Sequence, residues 1–157
     1  MLSEADYTRY AEQYMDMVYR VAYGYVRAPA DADDVTQAVF LRLWKRRPAL
    51  ADENHARRWL VRVAINESKR LLRSPWRSAE ALDDHDAPVL PSTEHRELLD
   101  AVMRLRPNDC TVIYLYYYEG LSTKEIAGML GVPQNTVLTR LRRAREKLKS
   151  DLTEAEK

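Results

Sequence analysis

Six cationic side chains crowd into ten residues near the C-terminal end of the chain, where they could neutralise the phosphates of a nucleic acid. Residues 140–149 hold these six cations against a single acid, Glu146. The whole protein carries a net charge of only +1, and residues 79–100 hold seven acids against Arg96. Binding to a polyanion is therefore predicted at this basic segment rather than over the whole surface.

Local signals around the basic segment predict two helices joined by a tight turn. Ser122 and Glu125 have the spacing of a capping box, which begins a helix, and Gly131 followed by Val132 and Pro133 ends it. Beyond the turn, apolar residues recur every three or four positions, at Val137, Leu141, Ala144 and Leu148. This pattern favours a DNA-binding helix-turn-helix over residues 121–148, and an ordinary helical hairpin with a solvated basic face is the alternative.

Apolar residues at helical spacing continue through the rest of the chain and predict an all-α fold. The predicted helices span residues 7–27, 31–45, 54–73, 94–105 and 109–119. Residues 74–92 lose this periodicity and contain prolines and acids, so they are predicted to form a flexible acidic linker. The protein is thus expected to form two small helical domains, residues 1–73 and 93–157.

Spacing also assigns individual side chains within these helices. Phe40 and Trp44, four residues apart, are expected to pack in the core. Asp109 is expected to cap the fifth helix, and the tyrosine cluster at residues 114–118 is assigned to helix rather than strand. The third helix is expected to turn six apolar side chains inward, namely Trp59, Leu60, Val63, Ala64, Leu71 and Leu72.

The composition excludes several classes of protein. With 157 residues, 46% hydrophobic and 31% charged, the chain has the composition of an ordered, helix-rich soluble protein. No apolar run approaches the ~18 residues of a membrane span, and the N-terminus lacks a signal-peptide pattern, so a cytoplasmic location without membrane insertion is expected. The single cysteine, Cys110, excludes an internal disulfide and is expected to be a small residue in the first turn of a helix, with a redox switch as the alternative.

Three stretches of the chain resemble motifs of one known family. Residues 31–44 (DADDVTQAVFLRLW) and 58–66 (RWLVRVAIN) are similar to successive parts of region 2 of the extracytoplasmic-function group of sigma-70-type factors. The predicted helix-turn-helix is similar to region 4 of the same family, and together the resemblance covers about residues 7–73 and 94–152. It implies a specificity subunit that directs bacterial RNA polymerase core to promoters and assists promoter melting and transcription initiation.

The resemblance also implies partners for this protein. Asp34, Gln37, Leu41 and Arg42 would dock on the clamp helices of the largest polymerase subunit, and region 4 would bind the polymerase flap. Considered without the family, Asp34 could simply cap its helix and Gln37 could be solvated. Promoter DNA is the second implied partner, and an anti-sigma factor wedged between the two domains is a third that family members often have.

The third helix offers a second face for DNA. The Asn66 amide can both donate to and accept from a base edge, which suits a pocket that holds an unstacked base in the open promoter. The resemblance places Asn66 near the minus-ten element, with the loop at residues 52–56 helping to set base preference. His55 in that loop is expected to be exposed to solvent. Four cations would follow the backbone of the displaced strand, namely Arg62, Lys69, Arg70 and Arg73, although the position of Arg70 is often acidic in the family.

The recognition helix of region 4 is expected to start near Pro133 and to enter the major groove of the minus-thirty-five element. Amide side chains can bond adenine bidentately and guanidinium groups can bond guanine. The candidate contacts are Lys124, Gln134, Asn135, Thr136, Thr139, Arg142 and Arg143. Lys124 and Tyr116 would reach the opposite backbone, and phosphates or solvent would meet Arg140, Arg145 and Lys147. The family commonly has glycine at Asn135 and a cation at Leu138, where this chain departs from it.

Two other functions were weighed against this interpretation. Residues 83–86 (DDHD) have the types of metal ligands, but consecutive residues in a proline-flanked linker offer no rigid geometry, so no metal, cofactor or enzymatic activity is expected. The alternative is an autonomous helix-turn-helix regulator that acts without core polymerase. Its first domain should hold a ligand pocket or phosphoacceptor, whereas residues 1–73 predict a small basic helical bundle.

Overall fold

The computed structural model describes residues 2–74 and 96–155, and within these ranges the chain is helical, with no strand. It divides into two compact units, Met1–Ala87 and Pro88–Lys157. The all-α fold of two helical domains is therefore confirmed. Of the predicted linker, residues 75–92 lie outside the described residues, as do the acidic residues 83–86.

The first unit is a bundle of three helices, α1 (Glu4–Val26), α2 (Pro29–Arg46) and α3 (Glu53–Leu72). Each start follows from a local signal. The Ser3 hydroxyl accepts a 3.1 Å hydrogen bond from the Asp6 amide, and the Asp52 carboxylate accepts a 2.8 Å bond from the His55 amide. Pro29 occupies the first turn of α2, where its missing N–H costs nothing, so α2 begins two residues earlier than predicted.

The three helices pack against one another around a common apolar core. Val18 of α1, Leu43 of α2 and Leu60 of α3 are completely buried. Burying a side chain of this kind stabilises the fold by about 1.5–3 kcal/mol. A small bundle of this size needs all three helices to close its core, because each helix alone would leave its apolar stripe in water.

Four apolar side chains of this unit lie further out than their spacing predicted, namely Trp44, Trp59, Leu71 and Leu72. Phe40 is buried as expected, but Trp44 is 36% exposed and Leu72 is 38% exposed, while Trp59 is half-buried. Trp44 and Leu72 stand in the last turns of α2 and α3, and their side chains lie partly on the surface of the bundle. The Trp44 ring instead meets Tyr7 edge-on with 5.0 Å between centroids, and the Arg47 guanidinium stacks 4.1 Å from its centroid.

The second unit contains α4 (Arg96–Met103), α5 (Pro107–Ile113), α6 (Thr123–Leu130) and α7 (Gln134–Ala155). A π-helical segment, Tyr114–Tyr118, continues directly from α5. The tyrosine cluster is therefore helical, as predicted, but with a wider turn than an α-helix. All the helical elements of this unit contribute buried apolar side chains to its core, among them Val112, Leu115, Ile126, Val137 and Leu141.

The prediction that Asp109 caps the fifth helix is wrong. α5 begins at Pro107, and its N-cap residue is Arg106, which makes no side-chain capping bond. Asp109 lies inside the first turn and is buried, and its carboxylate bonds a guanidinium of α7. Cys110 is buried beside it in the same turn, as expected for a small packing residue.

Candidate nucleic-acid interface

α6 and α7 form the predicted helix-turn-helix. Both hydrogen bonds of the capping box between Ser122 and Glu125 are present, each 3.1 Å long. Gly131 ends α6 in the left-handed conformation with φ of 67°, which a residue with a side chain adopts only at a cost. Ala127 and Val137 are buried. A residue as small as Ala127 leaves room for the two helices to pack closely.

One exposed stripe of α7 carries three polar side chains of the types that can read bases. Asn135, Leu138, Thr139 and Arg142 are all exposed and recur at intervals of three and four residues, which places them on one side of the helix. Leu138 is 47% exposed in the middle of this stripe. An apolar side chain at that position can contact a thymine methyl group but cannot bond a phosphate.

The turn between α6 and α7 constrains two other predicted contacts. The Gln134 amide nitrogen donates a 2.8 Å hydrogen bond to the Thr123 hydroxyl of α6, which leaves the amide oxygen pointing away from that bond as an acceptor. Thr136 is half-buried, and its amide bonds the Pro133 carbonyl at 3.0 Å. Lys124 lies exposed on α6. Gln134 and Lys124 are therefore more accessible to DNA than Thr136.

Half of the six basic side chains of α7 are engaged within the second unit. Arg143 binds the Asp109 carboxylate with both prongs of its guanidinium, at 2.6 Å and 3.0 Å. Arg145 donates a 2.7 Å bond to the Tyr117 hydroxyl and lies over the Tyr116 and Tyr117 rings. Lys147 pairs with Asp151 at 3.2 Å. Hydrogen bonding to Asp109 raises the pKa of the Arg143 guanidinium.

α3 presents a second basic face in the first unit. Asn66 is exposed near the middle of the helix. Its exposed neighbours at helical spacing are all cations, namely Arg62, Lys69, Arg70 and Arg73. Val63 and Ala64 of the same helix are buried and pack in the core. An amide that can read a base thus stands among charges that can hold phosphates.

The loop predicted at residues 52–56 is instead the start of α3, because Asp52 is the N-cap residue and the helix begins at Glu53. His55 is half-buried rather than simply solvated, and its Nδ1 accepts a 3.0 Å hydrogen bond from the Ala51 amide. Asp52 caps α3 by accepting the hydrogen bond of the His55 amide. The two bonds therefore link Ala51 and Asp52 to the first turn of α3. Glu53, the first residue of α3, accepts a 2.6 Å bond from the Tyr14 hydroxyl of α1.

α2 presents a different kind of surface. Asp34, Gln37 and Leu41 are exposed and lie on one side of the helix, and Leu41 is 52% exposed. A groove of about 610 Å³ between α1 and α2 is lined in part by Gln37, Leu41 and Met15. Arg42 is half-buried and pairs with Glu67 of α3 at 2.7 Å, so it ties the two helices together. Leu41 and Met15 are both exposed, so two apolar side chains border this groove.

Comparison with known proteins explains this combination of surfaces. The Sigma-70 region 2 family model matches residues 10–78, and the Sigma-70 region 4 model matches residues 95–148. The RNA polymerase sigma-E factor of Streptomyces antibioticus is 34% identical over 147 residues, which cover 87% of this chain and 79% of that protein. The chain belongs to the extracytoplasmic-function group of sigma-70-type factors. The ECF RNA polymerase sigma factor SigL of Mycobacterium tuberculosis is 30% identical, over an alignment that covers 91% of this chain and 86% of SigL.

Solved structures of sigma factors share the fold of this ECF factor. The sigma factor RpoE from Bartonella quintana, crystallised with the anti-sigma factor NepR, aligns with a TM-score of 0.72 at 20% identity and covers 94% of this chain and 97% of its own. CnrH, in complex with the cytosolic domain of CnrY, aligns with a TM-score of 0.65 at 24% identity over 99% of this chain and 92% of its own.

Other features bear on what this sigma factor can do. Among residues 2–74 and 96–155, no group of three or more histidine, cysteine, aspartate or glutamate side chains could hold a metal ion. No helix in the described part of the chain is long and apolar enough to cross a membrane. The function of the chain is that of a DNA-binding regulatory subunit of transcription, in agreement with the resemblance seen in its sequence.

Sequence reasoning located the faces of this ECF factor but missed the contacts that hold them. It assigned Arg143 to DNA, whereas the structure pairs Arg143 with the buried Asp109, 34 residues earlier. It left Tyr117 without a role. The one signal in the sequence was an acid inside an otherwise apolar turn, residues 109–113 (DCTVI), since a buried carboxylate requires a partner.

Proposed function

We propose that this sigma factor directs bacterial RNA polymerase core to promoters by gripping DNA at two places. The observation that carries the proposal is the pair of exposed helical faces, one in each unit, that combine base-reading amides with cations. α7 in the region matched to Sigma-70 region 4 would bind duplex DNA, and α3 in the region matched to Sigma-70 region 2 would bind the melted strand. We place this function in the cytoplasm, where polymerase acts.

At the upstream contact, the exposed stripe of α7 would enter the major groove of the minus-thirty-five element. Asn135, Thr139 and Arg142 would read base edges, while Gln134 would offer its free amide oxygen. Lys124 on α6 would bond the phosphate backbone. Thr136 is half-buried, so it contributes less than the others.

At the downstream contact, Asn66 would read an unstacked base of the minus-ten element. The energy of unpairing, a few kcal/mol per base, would be offset by binding the displaced strand to the cations around Asn66. These cations are Arg62, Lys69, Arg70 and Arg73. Asp52 and His55 stand at the start of the same helix, where they could influence base preference.

The face of α2 would bind the polymerase core at the clamp helices of its largest subunit, and the second unit would bind the flap. Asp34, Gln37 and Leu41 are exposed for this contact, and Arg42 would support the face through its ion pair with Glu67. A charge placed at Leu41 should therefore weaken core binding measured without DNA. The matched control is Leu72→Glu, which places the same charge on a leucine that is exposed at the end of α3.

An anti-sigma factor is a further proposed partner. It would hold the protein inactive by covering one of these faces. RpoE and CnrH, which share the fold, were each solved with another protein, in the case of RpoE an anti-sigma factor. This partner would be ruled out if no protein copurified with the chain and inhibited the transcription that the chain directs.

Run-off transcription with purified core polymerase tests the main proposal. Core alone should not initiate at a promoter selected from a random library, and core with the purified chain should. Leu41→Glu should reduce this initiation, while Leu72→Glu should leave core binding unchanged. Tight binding of the chain alone to promoter duplex, with no core-dependent initiation, would instead show an autonomous regulator and overturn the proposal.

A further inference from the structure

The buried carboxylate of Asp109 is held by both prongs of a guanidinium on the recognition helix. Its side chain is only 5% exposed, whereas that of Arg143 is 50% exposed. Arg143 Nη2 lies 2.6 Å from Oδ1 and Nε lies 3.0 Å from Oδ2. Asp109 is the one acid that is buried among the described residues of the chain. A planar guanidinium bound at two atoms fixes both distance and orientation.

A second side-chain hydrogen bond fixes the same part of α7. Arg145 donates a 2.7 Å hydrogen bond to the hydroxyl of Tyr117, which lies in the π-helical segment that continues from α5. Residues two apart on an α-helix point about 200° apart around its axis. Arg143 and Arg145 therefore extend from different sides of α7, one to α5 and the other to the π-helical segment. Rotation of the recognition helix in either direction would break one of these bonds.

Arg143 cannot leave Asp109 for a DNA phosphate at low cost. Removing one partner of a buried ion pair is strongly destabilising, because the buried group that remains loses the interaction that compensated its burial. The guanidinium is therefore retained by Asp109 when DNA binds. This conclusion differs from the sequence-based assignment of Arg143 to a base contact.

The geometry points to Asp109 as a positioning residue for promoter recognition, which acts through Arg143 and sets the rotation of α7 in the major groove. The inference rests on the proposed function of α7 at the minus-thirty-five element. The exposed stripe of Asn135, Thr139 and Arg142 is presented at an angle that Asp109 and Tyr117 hold. A rotated helix would still carry its charge to DNA but would misplace the atoms that read bases.

The two roles of Arg143 predict opposite effects of Asp109→Asn. If Arg143 is a positioning residue, the loss of the carboxylate charge loosens α7, and discrimination between the selected minus-thirty-five element and a scrambled one falls by about tenfold. If Arg143 contacts DNA, Asp109→Asn releases it, and promoter binding is unchanged or tighter. Binding is measured with reconstituted holoenzyme on both DNAs over a range of salt concentrations.

Arg143 variants complete the test. Arg143→Lys, which keeps the charge and loses the two-pronged bond, should reduce discrimination as much as Asp109→Asn, and the double variant should be no worse than either. Arg143→Met should leave the salt dependence of DNA binding unchanged. Loss of a phosphate contact would instead reduce the slope of the logarithm of the binding constant against the logarithm of the salt concentration by about one. Additive effects, or a lower slope, would overturn the inference. Asn108→Ala, an exposed neighbour in the same turn, is the matched control.

Folding is monitored by the thermal melt of each variant and by its binding to core. If Asp109→Asn does not fold, Arg143→Lys and Tyr117→Phe decide, because their side chains lie at the surface; Tyr117→Phe should reduce discrimination by about threefold. Unchanged discrimination in both would refute the inference. A wild-type chain that fails to initiate with core would refute the proposed function instead, so the two failures are distinguishable.

Discussion

The Tyr14 hydroxyl of α1 donates a 2.6 Å hydrogen bond to Oε2 of Glu53, the first residue of α3. The other carboxylate oxygen of Glu53 accepts a bond from Arg9, which also lies on α1. One side chain at the start of α3 thus receives two donors from α1. These bonds fix the position of the start of α3, the helix that carries Asn66. The N-cap residue Asp52 and His55 in the first turn lie at the same end of this helix.

Tyr14→Phe should change the alkaline stability of the first unit. Burial, followed by the hydrogen bond to Glu53, raises the pKa of Tyr14 from its ordinary value of 10.0 to about 12. Because the folded state favours the neutral tyrosine, its stabilisation is complete below pH ~10 and is lost as the pH rises through about 12. The unfolding free energy of the wild type should therefore fall more steeply over this range than that of the variant.

Urea unfolding of the two proteins at several pH values measures this difference. At neutral pH, Tyr14→Phe should be less stable by about 1.5–3 kcal/mol, the usual contribution of a hydrogen bond to a charged group. Tyr7→Phe, which changes a half-buried tyrosine of the same helix, is the control. Parallel pH curves for the wild type and Tyr14→Phe would show that Glu53 does not retain the Tyr14 proton.

Ser68→Ala should stabilise the first unit. Ser68 of α3 is fully buried, and its hydroxyl oxygen has no hydrogen-bond partner among residues 2–74 and 96–155. A buried polar group without a partner costs about 1–3 kcal/mol, and alanine also favours a helix more than serine does. The unfolding free energy should rise by about 1 kcal/mol.

Thr36→Val gives the matched control for Ser68→Ala. The Thr36 hydroxyl is also buried, but it donates a 2.7 Å bond to the Ala32 carbonyl, so its loss should not stabilise the protein. Both changes remove one buried hydroxyl from a helix of the same bundle. A destabilised Ser68→Ala variant would mean that the hydroxyl has a partner in solution.

Ser122→Ala should weaken the helix-turn-helix. The serine hydroxyl caps α6 and takes part in the reciprocal bonds with Glu125. Loss of such a cap costs about 1 kcal/mol. Thermal unfolding of the second unit should show this loss, whereas Ser150→Ala on the exposed surface of α7 should change stability by less than about 0.5 kcal/mol. Equal effects of the two serine changes would argue against the capping box.

Asn66→Ala should impair promoter opening more than polymerase binding. The amide is proposed to hold an unstacked base, which exists only once the duplex has opened, so holoenzyme assembly should not need it. Open complexes, measured by the reactivity of unpaired bases, should fall by about tenfold at unchanged affinity for core. Lys69→Met, a neighbouring cation change, should reduce DNA binding without this selectivity for the open state. Equal loss of opening and core binding in Asn66→Ala would refute the role.

Features that depend on neighbours in the chain were predictable from the sequence. The capping box of Ser122 and Glu125, the left-handed Gly131 and the apolar stripe of α7 each involve residues no more than a few positions apart, so local chemistry is sufficient. The exposed faces of α3 and α7 follow from the same periodicity. The family resemblance likewise rests on short motifs, and it is confirmed by the matches to Sigma-70 regions 2 and 4.

The tertiary structure alone decided which charges are held inside the fold and which face outward. Asp109 and Arg143 are 34 residues apart, and Tyr14 and Glu53 are 39 apart, so neither pair has a local signal. Trp44 has the spacing of a core residue, yet it is 36% exposed and meets Tyr7 of α1 in an edge-on aromatic contact. A cation looks the same in sequence whether it meets DNA or a buried carboxylate. Only the packing of α5 against α7 shows that Arg143 meets the carboxylate, because burial makes that partner obligatory.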